Sequence, residues 1–347
     1  METGKKRVLV GMSGGVDSSV CVELLRQAGY QVEGAVIRFS PAHDAAVAAA
    51  CETAQQLQVP IQVLDCQEEF DQQVVLPFCA DYCAGRTPNP CIICNPRVKF
   101  KALCRAADLA GIPYIATGHY ARIAKKQGFF AVQKAVSEAR DQSYMLYRLE
   151  QSVLSRLLLP LGSYEKAAIR EMARQKQLSC ADAPDSQEIC FIPDKDYASY
   201  IARRGYSSPQ GSFIAPDGRR LGPHKGIIHY TVGQRKGLGL SLNQPAFVRR
   251  ICENGDILLG FSGQEYYCGI TLTDPVVTLG PILPQSHYQI KVRSMAKPVG
   301  CTVTAVSEKQ IQLVFDQPAR APAPGQSAVL YNGDLVAAGG FIAQLEE

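Results

Sequence analysis

Tryptophan is absent from the 347 residues, so 15 tyrosines and 12 phenylalanines carry the whole aromatic load. No stretch approaches the roughly 18 uninterrupted apolar residues of a membrane-spanning helix, and no charged segment followed by an apolar run opens the chain as a secretory signal would. These absences remove the support for membrane insertion and for secretion, and a cytoplasmic location is expected. A large charge excess is also lacking. Lys and Arg number 36 against 32 Asp and Glu, a net +4, with 20% charged and 46% hydrophobic residues and a mean hydropathy of -0.05. That composition excludes a disordered polyelectrolyte and supplies several apolar cores. At 37.7 kDa, two or three domains are expected.

Thirteen cysteines, an odd number, are spread over the chain. In a reducing compartment, clustered thiols point to chemistry or metal more often than to structural disulfides. Two segments contain no acidic residue. Gly218 to Leu240 carries Arg219, Arg220, Lys225, Arg235 and Lys236 with two histidines, and Gly85 to Lys101 carries four basic residues. A merely solvated face would mix the signs, so both segments are expected to face phosphate.

Lys6 to Met12 reads as a buried strand that runs into Ser13-Gly-Gly-Val-Asp-Ser18, after which an apolar helix pattern continues until Gly29. A glycine-rich turn between a strand and a helix N-terminus is where backbone N–H groups and the helix dipole hold an anion. The turn lacks both the Walker phosphate-loop spacing with its lysine and the dinucleotide Gly-x-Gly-x-x-Gly pattern. Strands at 32–39, 61–65 and 114–117 alternate with helices at 44–57, 68–84 and 98–110, which predicts a parallel sheet with ligands at its carboxyl edge. Gly118 and His119 end the last of these strands, at the same edge as Ser13 to Ser18.

Cys91-Ile-Ile-Cys94 lies in a proline-stiffened loop, Gly85 to Arg97, preceded by Cys79 and Cys83 on one face of a predicted helix. The spacing admits a redox pair or catalytic thiols, a four-thiolate zinc site, or an iron–sulfur cluster. Nearby Arg97 and Lys99 would favour a thiolate. Cys190 sits in a short strand-like stretch between Pro184 and Pro193, either as an ordinary buried cysteine or as a functional one beside Asp185, Ser186 and Glu188.

The six-residue Ser13–Ser18 signature resembles the pyrophosphate loop of the ATP pyrophosphatase superfamily. Together with Gly85–Asn95 and Val98–Lys101, Ala116–Arg122, Asp141–Tyr144, Asp185–Ile192 and His229–Gly239, in that order, it resembles the bacterial and organellar tRNA 2-thiouridylases across nearly the whole chain. The resemblance implies ATP contacts from Gly11, Met12, Ser13, Gly14, Gly15, Val16, Asp17, Ser18, Ile37 and Gly118. It implies a nucleophilic Cys94 and a persulfide on Cys190, the two ending the cycle as a disulfide. Asn89, Pro90 and Cys91 would face the target uridine; His119, Arg140, Asp141, Gln142, Arg293, Ser294 and Gln326 would contact tRNA. Many members carry Asp where this chain has Cys91.

A uracil C2 oxygen leaves poorly until adenylation makes it the oxygen of departing AMP. The expected reaction is therefore ATP-dependent 2-thiolation of wobble uridine 34, releasing AMP and pyrophosphate, with Asp17 positioning Mg2+ or assisting a proton transfer. Expected partners are tRNAs reading Lys, Glu and Gln codons, a persulfide donor from a cysteine desulfurase or sulfur relay, and a thiol reductant. No metal site beyond the Mg2+ of ATP is assigned, with an iron–sulfur cluster left open. Rival readings are an amidotransferase-type or lysidine synthetase, and a non-catalytic RNA-binding or metal-cluster protein.

Beyond residue 204 the helical periodicity ends and short strands between glycine turns follow. The expected architecture is α/β: an ATP pyrophosphatase (adenine nucleotide alpha hydrolase-like) domain with a parallel sheet at 1–203, a small β-rich central domain at 204–272, and a six-stranded β-barrel at 273–347.

Overall fold

The structure is a computed structural model that describes residues 6–183 and 189–346. Asp185, Ser186 and Glu188 of the motif around Cys190 thus lie outside the described residues. The N-terminal part alternates β1 (Arg7–Gly11), α1 (Val16–Gln27), β2 (Gln31–Arg38), α2 (Asp44–Gln56), β3 (Ile61–Asp65), α3 (Gln67–Phe70), α4 (Leu76–Cys83), α5 (Pro90–Cys94), α6 (Phe100–Leu109) and β4 (Tyr114–Thr117). With β7 (Leu157–Leu158), these strands form a five-stranded parallel sheet in the order β3-β2-β1-β4-β7.

Alternation along β1 builds two cores from one strand. Leu9 faces the core under α4 and α6, while Val8 and Val10 face the core with α1, α2 and α8 (Lys166–Gln175). The order reverses between β1 and β4, so the turn after β1 and the Gly118-His119 turn after β4 meet at a topological switch point.

Three features depart from the sequence reading. The Cys91–Cys94 segment is helical rather than a loop, because the Asn89 side chain caps it by accepting from Cys91 N at 3.2 Å and Pro90 suits a first turn. Residues 189–192 form a turn instead of a strand, closed by Ile192 N donating to Ile189 O at 2.9 Å. The hairpin β5 (Ala121–Lys126) and β6 (Phe129–Lys134) was not anticipated, and it extends the C-terminal sheet through the pairing of Gln133 with Leu335.

After α7 (Gln151–Leu154), α8 and α9 (Tyr197–Arg203), a small sheet follows: β8 (Ser212–Ile214), β9 (Arg220–Pro223), β10 (Ala246–Ile251) and β11 (Ile257–Phe261), in the order β10-β11-β8-β9. The last six strands are β12 (Tyr266–Val277), β13 (His287–Lys291), β14 (Val299–Val306), β15 (Gln310–Arg320), β16 (Ser327–Asn332) and β17 (Leu335–Glu346). The order β12-β15-β14-β13-β16-β17 returns to β12, which closes the expected six-stranded barrel around Ile270, Leu272, Val303, Leu313 and Ile342. No helix among the described residues is long and apolar enough to cross a membrane.

Candidate active site

At the switch point, Gly15 caps α1 without a side-chain bond, which leaves the first-turn N–H groups for an anion. The turn is shaped by Ser18 Oγ, which accepts from Ser13 N at 3.1 Å and donates to Gly15 O at 3.1 Å. Gly14 has φ +75°, and a Cβ there would fall 2.8 Å from Ala49 Cβ and Ala50 N, so only glycine fits. Gly118 is equally constrained: a Cβ would lie 2.9 Å from Asp17 C and Ser18 N. Met12 and Ile37 are buried.

Asp17 is already engaged. Lys166 Nζ donates to its two carboxylate oxygens at 2.7 and 2.8 Å, and Tyr120 Oη donates to Oδ1 at 2.7 Å. The Lys166 side chain is only 11% exposed, so a buried ammonium stands at the edge of the anion-binding turn. Sequence reading missed Lys166 and Tyr120. Nothing in an amphipathic helix marks one lysine as buried.

The thiols are brought together by helix geometry. Cys94 ends α5, and Asn95–Lys99 continues it as a π turn before α6. At about 100° per residue an α-helix would put Lys99 roughly 140° away from Cys94, whereas a turn closed i to i+5 returns it above Cys94. Cys94 is buried, and Cys91 and Cys190 are exposed. Phe191 anchors the Cys190 turn, its ring 5.4 Å from each of Phe70, Phe78 and Tyr200.

Burial pushes the Cys94 thiol up to about 12, with Lys99 opposing and the Cys190 and Cys91 sulfurs adding to the rise. Protein packed around the Cys190 sulfur pushes it up to about 11, again opposed by Lys99. Cys91 rises for the same reason, with Lys99 the opposing charge. Burial thus opposes the expected thiolate while Lys99 favours it, and Arg97 is turned away toward Gln73 Oε1 at 3.3 Å. Lys99 is the one cation acting on all three, and among the described residues its ammonium has no ion-pair partner.

His119 links thiols and turn. It stacks on Phe100, with ring centroids 5.9 Å apart, and its Nδ1 is 2.7 Å from Thr117 Oγ1. Burial, helped by Lys99, holds it well below the usual histidine range, so it is a neutral imidazole. Cys79, on α4, is instead fully buried in the core, and no three His, Cys, Asp or Glu among the described residues are placed to hold a metal ion. Cys91, Cys94 and Cys190 lie within electrostatic reach of one another.

The residues expected to touch RNA fall into two groups. Arg140 is exposed and Ser294 partly so. Asp141 and Gln142 are committed internally: Asp141 Oδ1 accepts from Ala135 N at 3.0 Å, and Gln142 Oε1 accepts from Tyr120 N at 2.9 Å. Asn89 and Pro90 shape α5, and Gln326 Nε2 donates to Thr87 O at 2.8 Å, pinning the segment that leads into it.

A parallel sheet with a glycine-rich anion turn at its switch point, a buried lysine beside it and thiols within the same edge defines an enzyme of the ATP pyrophosphatase class. Residues 6–194 match a family described as tRNA methyl transferase HUP domain, 198–260 one described as tRNA methyl transferase PRC-barrel domain, and 270–342 one described as aminomethyltransferase beta-barrel domain. The tRNA-specific 2-thiouridylase MnmA of Carboxydothermus hydrogenoformans is 41% identical, covering 98% of each chain. That of Clostridioides difficile is 40% identical over 97% of this chain and 98% of its own. A solved U34-tRNA thiolase NcsA from Methanococcus maripaludis is 17% identical, with TM-score 0.37, over 58% of this chain and 71% of its own. The chain belongs to the tRNA-specific 2-thiouridylase family.

Proposed function

We propose that this protein thiolates C2 of the wobble uridine of tRNA, using ATP with Mg2+ and sulfur carried as a persulfide on Cys190. The observation that carries the reading is one continuous site: the anion turn touches Gly118, His119 follows Gly118 and stacks on Phe100, and the preceding π turn holds Lys99 over Cys94. Gly11 to Ser18 and Ile37 hold ATP, and the uridine O2 attacks its α-phosphorus, with pyrophosphate leaving into the turn against Lys166. Asp17 holds Lys166 at the turn through both carboxylate oxygens and, a third exposed, keeps lone pairs for positioning Mg2+ or assisting a proton transfer.

Sulfur then replaces AMP at C2. In one route the Cys190 persulfide attacks C2 and Cys94 resolves the sulfur link. In the other, Cys94 attacks the inner sulfur of Cys190, releasing hydrosulfide that attacks C2. Either route leaves a Cys94–Cys190 disulfide, which an external dithiol reduces. Asn89 to Cys91 and His119 face the extruded base; Arg140, Arg293 and Ser294 touch the tRNA, while Asp141, Gln142 and Gln326 support those contacts. The working units are residues 1–203, 204–272 and 273–347, in a reducing cytoplasm where tRNAs for Lys, Glu and Gln codons and a cysteine-desulfurase relay supply substrate and sulfur. The test is incubation of unmodified tRNA with ATP and a persulfide donor: 2-thiouridine at position 34 with equimolar AMP is expected, and thiolation elsewhere or without AMP overturns the reading.

A further inference from the structure

The seam between the small sheet and the barrel holds a polar pocket of about 190 Å³ lined by Gly233, Arg235, Phe247, Glu265, Arg293 and Arg320 among others. Gly233, Arg235 and Phe247 come from the small sheet and its basic loop, whereas Arg293 follows β13, Arg320 ends β15 and Glu265 precedes β12. Three guanidinium groups thus meet one carboxylate, and no second acid lines the pocket.

That carboxylate is a hub. Glu265 is buried, its Oε2 accepts from Gly263 N at 2.7 Å, and its Oε1 lies 2.7 Å from Arg235 and 3.7 Å from Arg320. One acid therefore aims two arginines from different modules at the same space. Arg293 donates to Val232 O at 3.0 Å, yet its Nε is buried without a partner. Backbone comes close on this side because residue 233 is glycine: a Cβ there would sit 3.2 Å from Arg293 Nη2. A buried guanidinium donor left unpaired costs free energy unless something fills the site. The missing charge is negative, and the forked donors match two oxygens on one centre.

We propose that this pocket binds one phosphodiester of an RNA backbone, with Glu265 as the positioning residue for Arg235 and Arg320, so that bound RNA ties the small sheet to the barrel. The proposal rests on the tRNA reading above and extends it to a built site. RNA is favoured over a free anion because the acid-free segment from Gly218 to Leu240 supplies Gly233 and Arg235 to the pocket and carries Lys225 and Lys236 as further cations.

The experiment is equilibrium binding of unmodified tRNA across a KCl series. Arg235 and Arg320 side chains are 49% and 56% exposed, so Arg235→Ala and Arg320→Ala keep the fold. Each is expected to weaken binding and to lower the slope of log Kd on log salt by about one unit, while Arg320→Lys keeps most of the slope. Parental slopes in both alanine variants overturn the pocket. Weaker binding with an unchanged slope also overturns it, because that marks a packing role. Titration with inorganic phosphate that saturates the parent, together with unchanged RNA slopes, assigns the pocket to a free anion and overturns the RNA claim. If the parent protein itself fails to bind tRNA, the functional reading fails first, and the two failures are distinct.

Discussion

Lys166 and Asp17, 149 residues apart in sequence, form a two-pronged ion pair at 2.7 and 2.8 Å on the rim of the anion-binding turn. The pair makes the acid of the Ser13–Ser18 signature a device for presenting a buried cation. Lys166→Ala is expected to lower tRNA-dependent pyrophosphate release roughly 10- to 100-fold and to cost about 1–3 kcal/mol of stability by orphaning a partly buried carboxylate. Asp17→Ala should lose pyrophosphate release as well. Tyr120→Phe, which removes one donor and keeps the lysine, should be much milder; equal defects in Tyr120→Phe and Lys166→Ala would show that the cation has no special part.

The strand, glycine turn and helix around Ser13 were legible because each has a local cause: a continuous apolar run, a turn that needs glycine, and a 3.6-residue repeat. Lys166 was not, since its burial comes from packing between α8 and α1 and not from its own segment. The π turn at Asn95–Lys99 was hidden for another reason. Its residues read as ordinary helix, and the extra backbone unit that turns Lys99 toward Cys94 leaves no mark in composition. Cys94 and Cys190 could be paired from sequence only by resemblance, because nothing local joins a helix end to a turn 96 positions away. The barrel was legible as alternating short strands, but β5 and β6 joined its sheet through a single register pair that no periodicity announces.

Sulfur should reside on Cys190. After incubation with a persulfide donor, mass spectrometry of peptides should find the added sulfur there, and Cys190→Ser should abolish thiolation with tRNA affinity nearly unchanged. Cys94→Ser should lose multiple turnover, while Cys91→Ser keeps most of it. Iron content and activity of the anaerobically prepared protein decide the cluster: full-rate thiolation without iron excludes one, and loss of an iron–sulfur chromophore in all three variants places it on these thiols.

Burial of the thiols sets a pH dependence. Because burial raises Cys94 to about 12 and Cys190 to about 11, their thiolate fraction in the free protein still grows above pH 9. Alkylation should rise about tenfold per pH unit through that range rather than level off near 8.5. Lys99 favours the anion, so Lys99→Met should slow alkylation at every pH below the new midpoint, and Lys99→Arg should restore most of it. A Lys99→Met protein alkylated at the parental rate would remove Lys99 from the thiol chemistry.

Gly118→Ala tests the contact between the two loops at the switch point. The added methyl meets backbone of Asp17 and Ser18 at 2.9 Å, and backbone cannot rotate away as a side chain tip can. The expected result is a raised KM for ATP with tRNA binding preserved, measured by pyrophosphate release and by tRNA affinity in parallel. An unchanged KM would mean that the turn after β4 moves freely against the one after β1.

The tyrosines beneath the hairpin decide whether the protein can be taken apart. Tyr144 Oη donates to Ser327 O at 2.6 Å, Tyr147 Oη meets Ser327 Oγ at 3.1 Å, and Ser143 Oγ meets Tyr331 Oη at 3.1 Å, all buried. Val329, Tyr331 and Val336 of the barrel belong to the same apolar core as Leu9 and Cys94. Excision of the barrel would remove the Ser327 partner of Tyr144 and Tyr147 together with the barrel's share of this apolar core, and would open the catalytic core to water. Three sequence families meet in this chain, but they share one interior, and a shuffled or minimised version with a free-standing catalytic half would have to rebuild that wall before it could hold its fold.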